Sequence, residues 1–355
     1  LAVGLVLLVG FRITLNAVDS HVMDVGSASA IGADRIDHGE DLYSVRPGGD
    51  DHLDTYGPVT YLAYLPFEAI WPADGEGGAT RAAKAAAVTF DVLIVGALLL
   101  LGARLRRGRE GRALGLALAY AWAAYPFSLY ALQANTNDGL VALLLVLALV
   151  AVSSPLGRGA LVGLAGAAKF APLVLAPLLA TGRDDEPRRR AWPLFAAGLG
   201  SVLALSVFAY LPDGGLREFY DATIGYQLGR QSPFSIWGLH PSLSWLQSSV
   251  KVGGALLAVV VAFVPSHRDT RQVAALAGAV LIAAQLAVDH WFYFYIVWFA
   301  PLALAAMFGA YRLGATTSSV PSRRRDVVPA AASQTPTLAG SPASTSKRAG
   351  VSGSA

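Results

Sequence analysis

The chain is divided into a long succession of apolar runs, most of them close to the roughly 20 residues a helix needs to cross about 30 Å of hydrocarbon. They occupy residues 1–18, 83–105, 113–132, 139–153, 192–211, 252–265, 273–288 and 291–311. Backbone polar groups in lipid must be satisfied within the segment, so runs of this length predict helices. Composition agrees, with 54% hydrophobic and 14% charged residues among 355, against roughly 25% charged in soluble domains. The expected fold class is therefore all-α, a polytopic transmembrane helical bundle.

The basic residues fall in short clusters between runs: Arg104, Arg106, Arg107, Arg109 and Arg112; Arg188 to Arg190; His267, Arg268 and Arg271; and Arg323 to Arg325. Such loops face the cytoplasm. This placement explains the net charge of +3 without nucleic acid, which is not an expected partner. With no cysteine, disulfides, iron–sulfur clusters and Cys-ligated zinc are excluded.

Holding every basic loop on one side constrains two ambiguous segments. Residues 56–72 are expected to form an interfacial or re-entrant helix, with Tyr56, Tyr61, Tyr64 and Trp71 at headgroup level. Residues 159–183 must begin and end inside, and Lys169, Pro172 and Pro177 predict two half-helices in a broken hairpin. The expected bundle has eight full spans plus this hairpin. Residues 1–315 form the transmembrane domain, with long outer loops at 19–80 and 212–249 and a short outer turn at 134–138. The Ser/Ala/Pro-rich residues 316–355 are expected to be a disordered cytoplasmic tail. Leu1 opens directly on an apolar run without a basic flank, which predicts missing N-terminal residues. The arginine, alanine and glycine usage points to a GC-rich bacterial genome.

The outer segments hold most of the reactive side chains. The first loop carries Asp19, Asp24, Asp34, Asp37, Glu40, Asp41, Asp50, Asp51 and Asp54, most of which only solvate it. Asp19 and Asp24 differ because they follow the first span closely. A carboxylate at the membrane surface, partly desolvated beside a lipid groove, is placed to act as a general base. Lys169 and Asp91 lie within apolar runs and must be paired or functional. A structural pair is expected for Asp91, and Lys169 either caps a helix end, pairs with Asp91 or meets a ligand. His21, His38 and His52 show no metal-ligand spacing. No metal is expected, although an acidic loop is able to take a divalent ion.

Seven stretches follow one another along residues 1–312: the Asp-Val-Gly at 24–26, GADRIDHGEDLY, TYGPVTYLAYLPFE, NTND at 135–138, KFAPLVLAPLL, GRQSPFSIWGLHPSL and DHWFYFYIVWFAP. In this order they resemble the GT-C class of polyprenyl-phosphate-sugar-dependent glycosyltransferases, most closely the glycosyltransferase family 87 mannosyltransferase-like proteins of actinobacteria. The resemblance implies an enzyme at the plasma membrane, acting on its extracytoplasmic face. It would move a sugar, mannose in the first instance, with inversion, from a polyprenyl phosphate to a glycolipid or glycan acceptor. It also implies a catalytic aspartate in the first loop: Asp24 by position, then Asp19, then Asp34.

The leaving phosphate needs positive groups, and His290, Arg230 and then Lys169 are the expected ones. His290 sits at a span end before aromatic residues, and Arg230 is an arginine on the side where arginine is less usual. Asn135, Asn137 and Asp138 form a polar turn suited to holding the acceptor sugar or the Asp24 loop. Tyr56 completes the substrate-binding set, and Tyr226, Trp237 and Trp245 are candidate stacking surfaces. Two alternatives remain from the residues alone. One is a secondary transporter or lipid flippase with a midplane site at Lys169 and Asp91. The other is a non-catalytic partner in envelope assembly.

Overall fold

A computed structural model describes residues 1–43, 55–182, 188–230 and 232–311. Arg46, Asp50, Asp51, His52, Asp54, Arg323 to Arg325 and the expected tail lie outside these residues, as does the side chain of Arg188. The described residues contain helices and no strand. In chain order the helices are α1 Ala2–Val18, α2 Asp24–Asp37, α3 Pro58–Leu62, α4 Leu65–Glu68, α5 Gly78–Leu105, α6 Gly108–Ala123, α7 Pro126–Gln133, α8 Asp138–Val150 and α9 Pro155–Ala168. They continue with α10 Ala176–Thr181, α11 Arg188–Ala209, α12 Gly215–Tyr220, α13 Tyr226–Gly229, α14 Ile236–Leu239, α15 Ser244–Val260, α16 Thr270–Ala287 and α17 Ile296–Phe308. Four of these regions are long and apolar enough to cross a membrane: Gly78–Leu105, Arg189–Ala209, Pro241–Val260 and Thr270–Ala287. The other expected spans are shorter apolar helices or are broken.

Proline explains the breaks. Residues 113–132 divide at Tyr125, held at φ −78° and ψ 122° by the ring of Pro126, so that α6 stops and α7 restarts. Residues 155–181 divide at Lys169 and Phe170, followed by a 3-10 turn, Ala171–Leu175, and then α10. This segment is a hairpin. The buried guanidinium of Arg158, near its start, donates to the carbonyls of Leu179 at 2.6 Å and Ala180 at 3.4 Å, near its end. Lys169 is therefore at the far tip.

Glycines set the closest helix contacts. A Cβ on Gly102 of α5 would lie 2.1 Å from the backbone nitrogen of Gly115 in α6, and one on Gly159 of α9 would lie 2.3 Å from the carbonyl of Phe195 in α11. Without a strong hydrophobic drive between helices in lipid, this backbone proximity supplies the packing energy. Gly102→Ala is expected to cost about 1–3 kcal/mol in thermal unfolding measured in detergent. Gly96→Ala on the same helix, where a Cβ meets nothing within 4 Å, is expected to be neutral or slightly stabilising.

Among the described residues the basic loops after α5 and before α16 share one end of the bundle with the close of the hairpin and the end of α17. Arg106, after α5, donates to the carbonyls of Gly309 and Tyr311 beyond α17. A Cβ on Gly309 would touch the Arg271 side chain, and Arg268 reaches Thr181 at the hairpin's end at 2.9 Å. The hairpin tip, the start of α8 and the start of α17 lie at the opposite end. Tyr61 and Tyr64 differ from expectation: both are fully buried rather than interfacial. Tyr64 packs edge-on against Phe67 and Phe90, and for Tyr61 the room comes from Gly57 and Gly32. The first lets residues 57–60 sit on the backbone of Ala167 and Ala168, and the second leaves room against α2 for the Tyr61 ring.

Candidate active site

The tip of the hairpin supplies the first charge. Lys169, caught where α9 ends, donates from Nζ to Oδ1 of Asp138 at 2.6 Å, and the same oxygen accepts Trp298 Nε1–H at 2.9 Å. Asp138 opens α8, where the helix dipole favours a carboxylate. The Lys169 ammonium also lies 4.9 Å from the centre of the Tyr56 ring, 5.4 Å from that of Trp298 and 5.6 Å from that of Tyr295. Three aromatic faces and one carboxylate thus hold the buried cation.

Asp24 comes from the opposite wall. It is the first residue of α2, one of its oxygens accepts the Val25 N–H at 2.8 Å, and the side chain is exposed rather than desolvated. Residues 21–23, which lead into α2, pair with the turn before α8: His21 N–H to the Gln133 carbonyl at 3.2 Å and Met23 N–H to that of Ala134 at 3.0 Å. Between the walls is a cavity of about 180 Å³ lined by Asp24, Asp138, Lys169, Arg230, His290 and Tyr56. Met23, Val25, Phe234, Phe292, Phe294 and Tyr295 supply its apolar surface. Arg230 follows α13 with its guanidinium 5.4 Å from the Tyr226 ring centre, and the His290 ring meets Tyr295 edge-on at 6.2 Å. Ser232, also on the wall, ties this loop to the Trp291 carbonyl at 2.9 Å.

Of the residues singled out from sequence, Asp24, His290, Arg230, Lys169, Asp138 and Tyr56 meet in one cavity. Asp19 does not; it caps the end of α1 and is exposed. Asp34 lies ten residues along α2 from Asp24, about 15 Å at helical rise, with His38 Nδ1 at 3.6 Å. Asn137 is buried under α2, donating to Ser29 Oγ at 3.0 Å. Trp237 is committed to the Leu286 carbonyl, and Trp245 is exposed on α15. Phe234, Phe292 and Trp298 had no role expected from sequence, where they stand only within the stretches that carry the family resemblance.

The two intramembrane charges do not pair with each other. Asp91 instead takes Arg12 of α1 in a bidentate contact at 2.7 and 3.0 Å, together with Trp122 Nε1–H at 2.9 Å. The midplane site that a transporter would build from Lys169 and Asp91 is absent, since the two belong to separate closed networks. Among the described residues no cluster of three or more His, Asp or Glu side chains is placed to hold a metal.

The sequence matches the glycosyltransferase family 87 model over residues 55–288. The chain belongs to glycosyltransferase family 87. This family 87 chain is also similar in fold to a solved structure, that of ArnT from Cupriavidus metallidurans bound to undecaprenyl phosphate. The TM-score is 0.55 at 14% identity, covering 86% of this chain and 59% of that one. No curated protein matches the family 87 chain in sequence. Its all-helical bundle thus shares the fold of that structure, of whose length it spans about three fifths, and its long apolar helices are those of a multi-pass membrane protein.

Proposed function

We propose that the chain transfers a sugar, mannose in the first instance, from a polyprenyl phosphate to a hydroxyl of a glycolipid or glycan on the extracytoplasmic face. The supporting observation is the cavity itself, which sets one exposed carboxylate, Asp24, across from Lys169, Arg230 and His290. It lies at the end away from the basic loops, which the positive-inside rule assigns to the cytoplasm. The binding of undecaprenyl phosphate by a protein of the same fold supports a lipid phosphate as the carrier.

In this reading Asp24 removes the proton from the acceptor hydroxyl as its oxygen bonds to the anomeric carbon. The bond from that carbon to the phosphate oxygen breaks on the opposite face, with inversion, and the electron pair leaves with the polyprenyl phosphate. Lys169 is already neutralised by Asp138, so Arg230 and His290 receive most of the departing charge. At 4 Å and an effective dielectric near 20, a unit charge pair is worth about 4 kcal/mol. Tyr56 and Tyr295 flank the space where the sugar would lie. The long aliphatic carrier fits the apolar rim of Phe234, Phe292 and the exposed Tyr293. We assign this activity to residues 1–315.

The test uses membranes containing the full chain, supplied with polyprenyl phosphate carrying labelled mannose. Label is expected in the lipid or polysaccharide fraction. Arg230→Ala is expected to raise the donor KM about 10- to 100-fold with a smaller change in kcat, consistent with loss of a charge-assisted contact. No label with mannose or any other polyprenyl-phosphate sugar would reject the donor class.

A further inference from the structure

Asn135 stands out because its backbone and its side chain are both unusual. It has φ +50°, the only positive φ among the described residues other than glycine, and it is fully buried. Its amide is fully used. Oδ1 accepts from Asn16 Nδ2 at 2.8 Å, and Nδ2 donates to the His21 carbonyl at 2.8 Å and to the Gln133 carbonyl at 3.2 Å. Asn16 also donates to the Leu132 carbonyl at 2.8 Å. One side chain therefore joins α1, the strand of chain leading to Asp24, and the turn that ends at Asp138.

The backbone of Asn135 adds a contact from the other side. A Cβ on Gly26, two residues after Asp24, would come within 2.2 Å of the Asn135 carbonyl oxygen, so α2 rests directly on this turn. The separation of Asp24 from the Asp138–Lys169 pair is set here, three residues from one carboxylate and across a single hydrogen bond from the peptide preceding the other's helix. A left-handed residue whose amide reaches two carbonyls and one donor is a role asparagine fills better than other non-glycine residues.

We propose that Asn135 is a positioning residue: it holds the exposed carboxylate of Asp24 at a fixed distance and angle from the Lys169–Asp138 side of the cavity. The proposal rests on the transfer reading above. The donor's phosphate side, Arg230, Ser232 and His290, stands on other elements and is not held by Asn135. Its loss is therefore expected in turnover rather than in donor binding, since misplacement by about 1 Å is enough to cost about 100-fold in rate.

Two variants approach the contact from opposite sides. Asn135→Asp tolerates the left-handed backbone and keeps the acceptor for Asn16, but it places a carboxylate against the His21 carbonyl. Gly26→Ala leaves Asn135 untouched and pushes α2 off the turn. Each is expected to lower kcat 10- to 100-fold with donor KM changed less than threefold. A second readout does not depend on activity. The chain has no cysteine, and His21 and Ala124 have exposed side chains, so spin labels on His21→Cys and Ala124→Cys report the distance from the Asp24 loop to the α6–α7 junction. That distance distribution is expected to be narrow in the otherwise native chain and to broaden in both variants.

An unchanged distribution, or a kcat within threefold of the parent in both variants, overturns the proposal. So does a donor KM that rises in step with any loss of rate. If the native chain transfers no sugar while the distribution still broadens, the transfer reading fails and the tether itself stands.

Discussion

Asp24→Asn is expected to lower kcat/KM for sugar transfer by about 100- to 10,000-fold, the range a general base contributes, while folding and membrane insertion are retained. Asparagine keeps an oxygen to accept the Val25 N–H, so the first turn of α2 is preserved. The side chain is exposed to the cavity, and substitutions at exposed positions usually change stability by less than 0.5 kcal/mol. Asp34→Asn and Asp19→Asn are the matched controls, since neither lines the cavity, and both are expected to retain transfer within a few-fold. Labelled-donor assays on membranes with equal protein content separate the outcomes. Full activity in Asp24→Asn with loss in one of the controls would reassign the base.

The largest stability effect is expected at the Arg12–Asp91 pair. Both side chains are more than nine-tenths buried, at 1% and 8% exposed. Arg12 also donates to the Ala123 carbonyl and Ser128 Oγ, and Trp122 shares the carboxylate. Removing one partner leaves the other charge in a low-dielectric interior without compensation. Asp91→Ala or Arg12→Ala is expected to cost about 3–5 kcal/mol, a large fraction of a total that is commonly 5–15 kcal/mol. Both single variants should therefore lose most of the folded material in detergent, read by size-exclusion profile and thermal unfolding. Arg12→Met with Asp91→Leu removes both charges and is expected to recover most of that loss, because a buried pair contributes little net relative to an apolar replacement. A double variant as unstable as the singles would place the cost in the Trp122 and Ser128 contacts instead.

Much of the fold was legible because lipid imposes a one-dimensional rule. Long apolar runs must become helices, and Lys169 with the prolines after it marked the break in the hairpin, whereas the break at Tyr125–Pro126 fell inside a segment expected as one span. Of the cavity residues, Arg230, Lys169 and His290 were legible for the same reason, being costly or unusual at their depth, and Asp24 from its place just after the first span together with the family resemblance. Less was legible where one residue type serves two environments. Tyr61 and Tyr64 have the composition of headgroup anchors, yet Gly32 opens space inside for the Tyr61 ring and Tyr64 packs edge-on against Phe67 and Phe90. Asp91 and Lys169 were plausible partners, since sequence distance says nothing about which helices adjoin.

By itself the sequence determined that this is a helical membrane protein, that its basic residues gather in loops between apolar runs, and which charged residues demand an explanation. These follow from transfer free energies of single segments, which do not depend on neighbours. Tertiary structure decided the pairings: Asp91 with Arg12, Lys169 with Asp138, and the Asp24 loop with Asn135. Short-range hydrogen bonds and ion pairs depend on ångström-scale approach between helices far apart in the chain. Glycine contacts such as Gly26 on Asn135 and Gly102 on Gly115 set that approach, and they act only once the helices have packed.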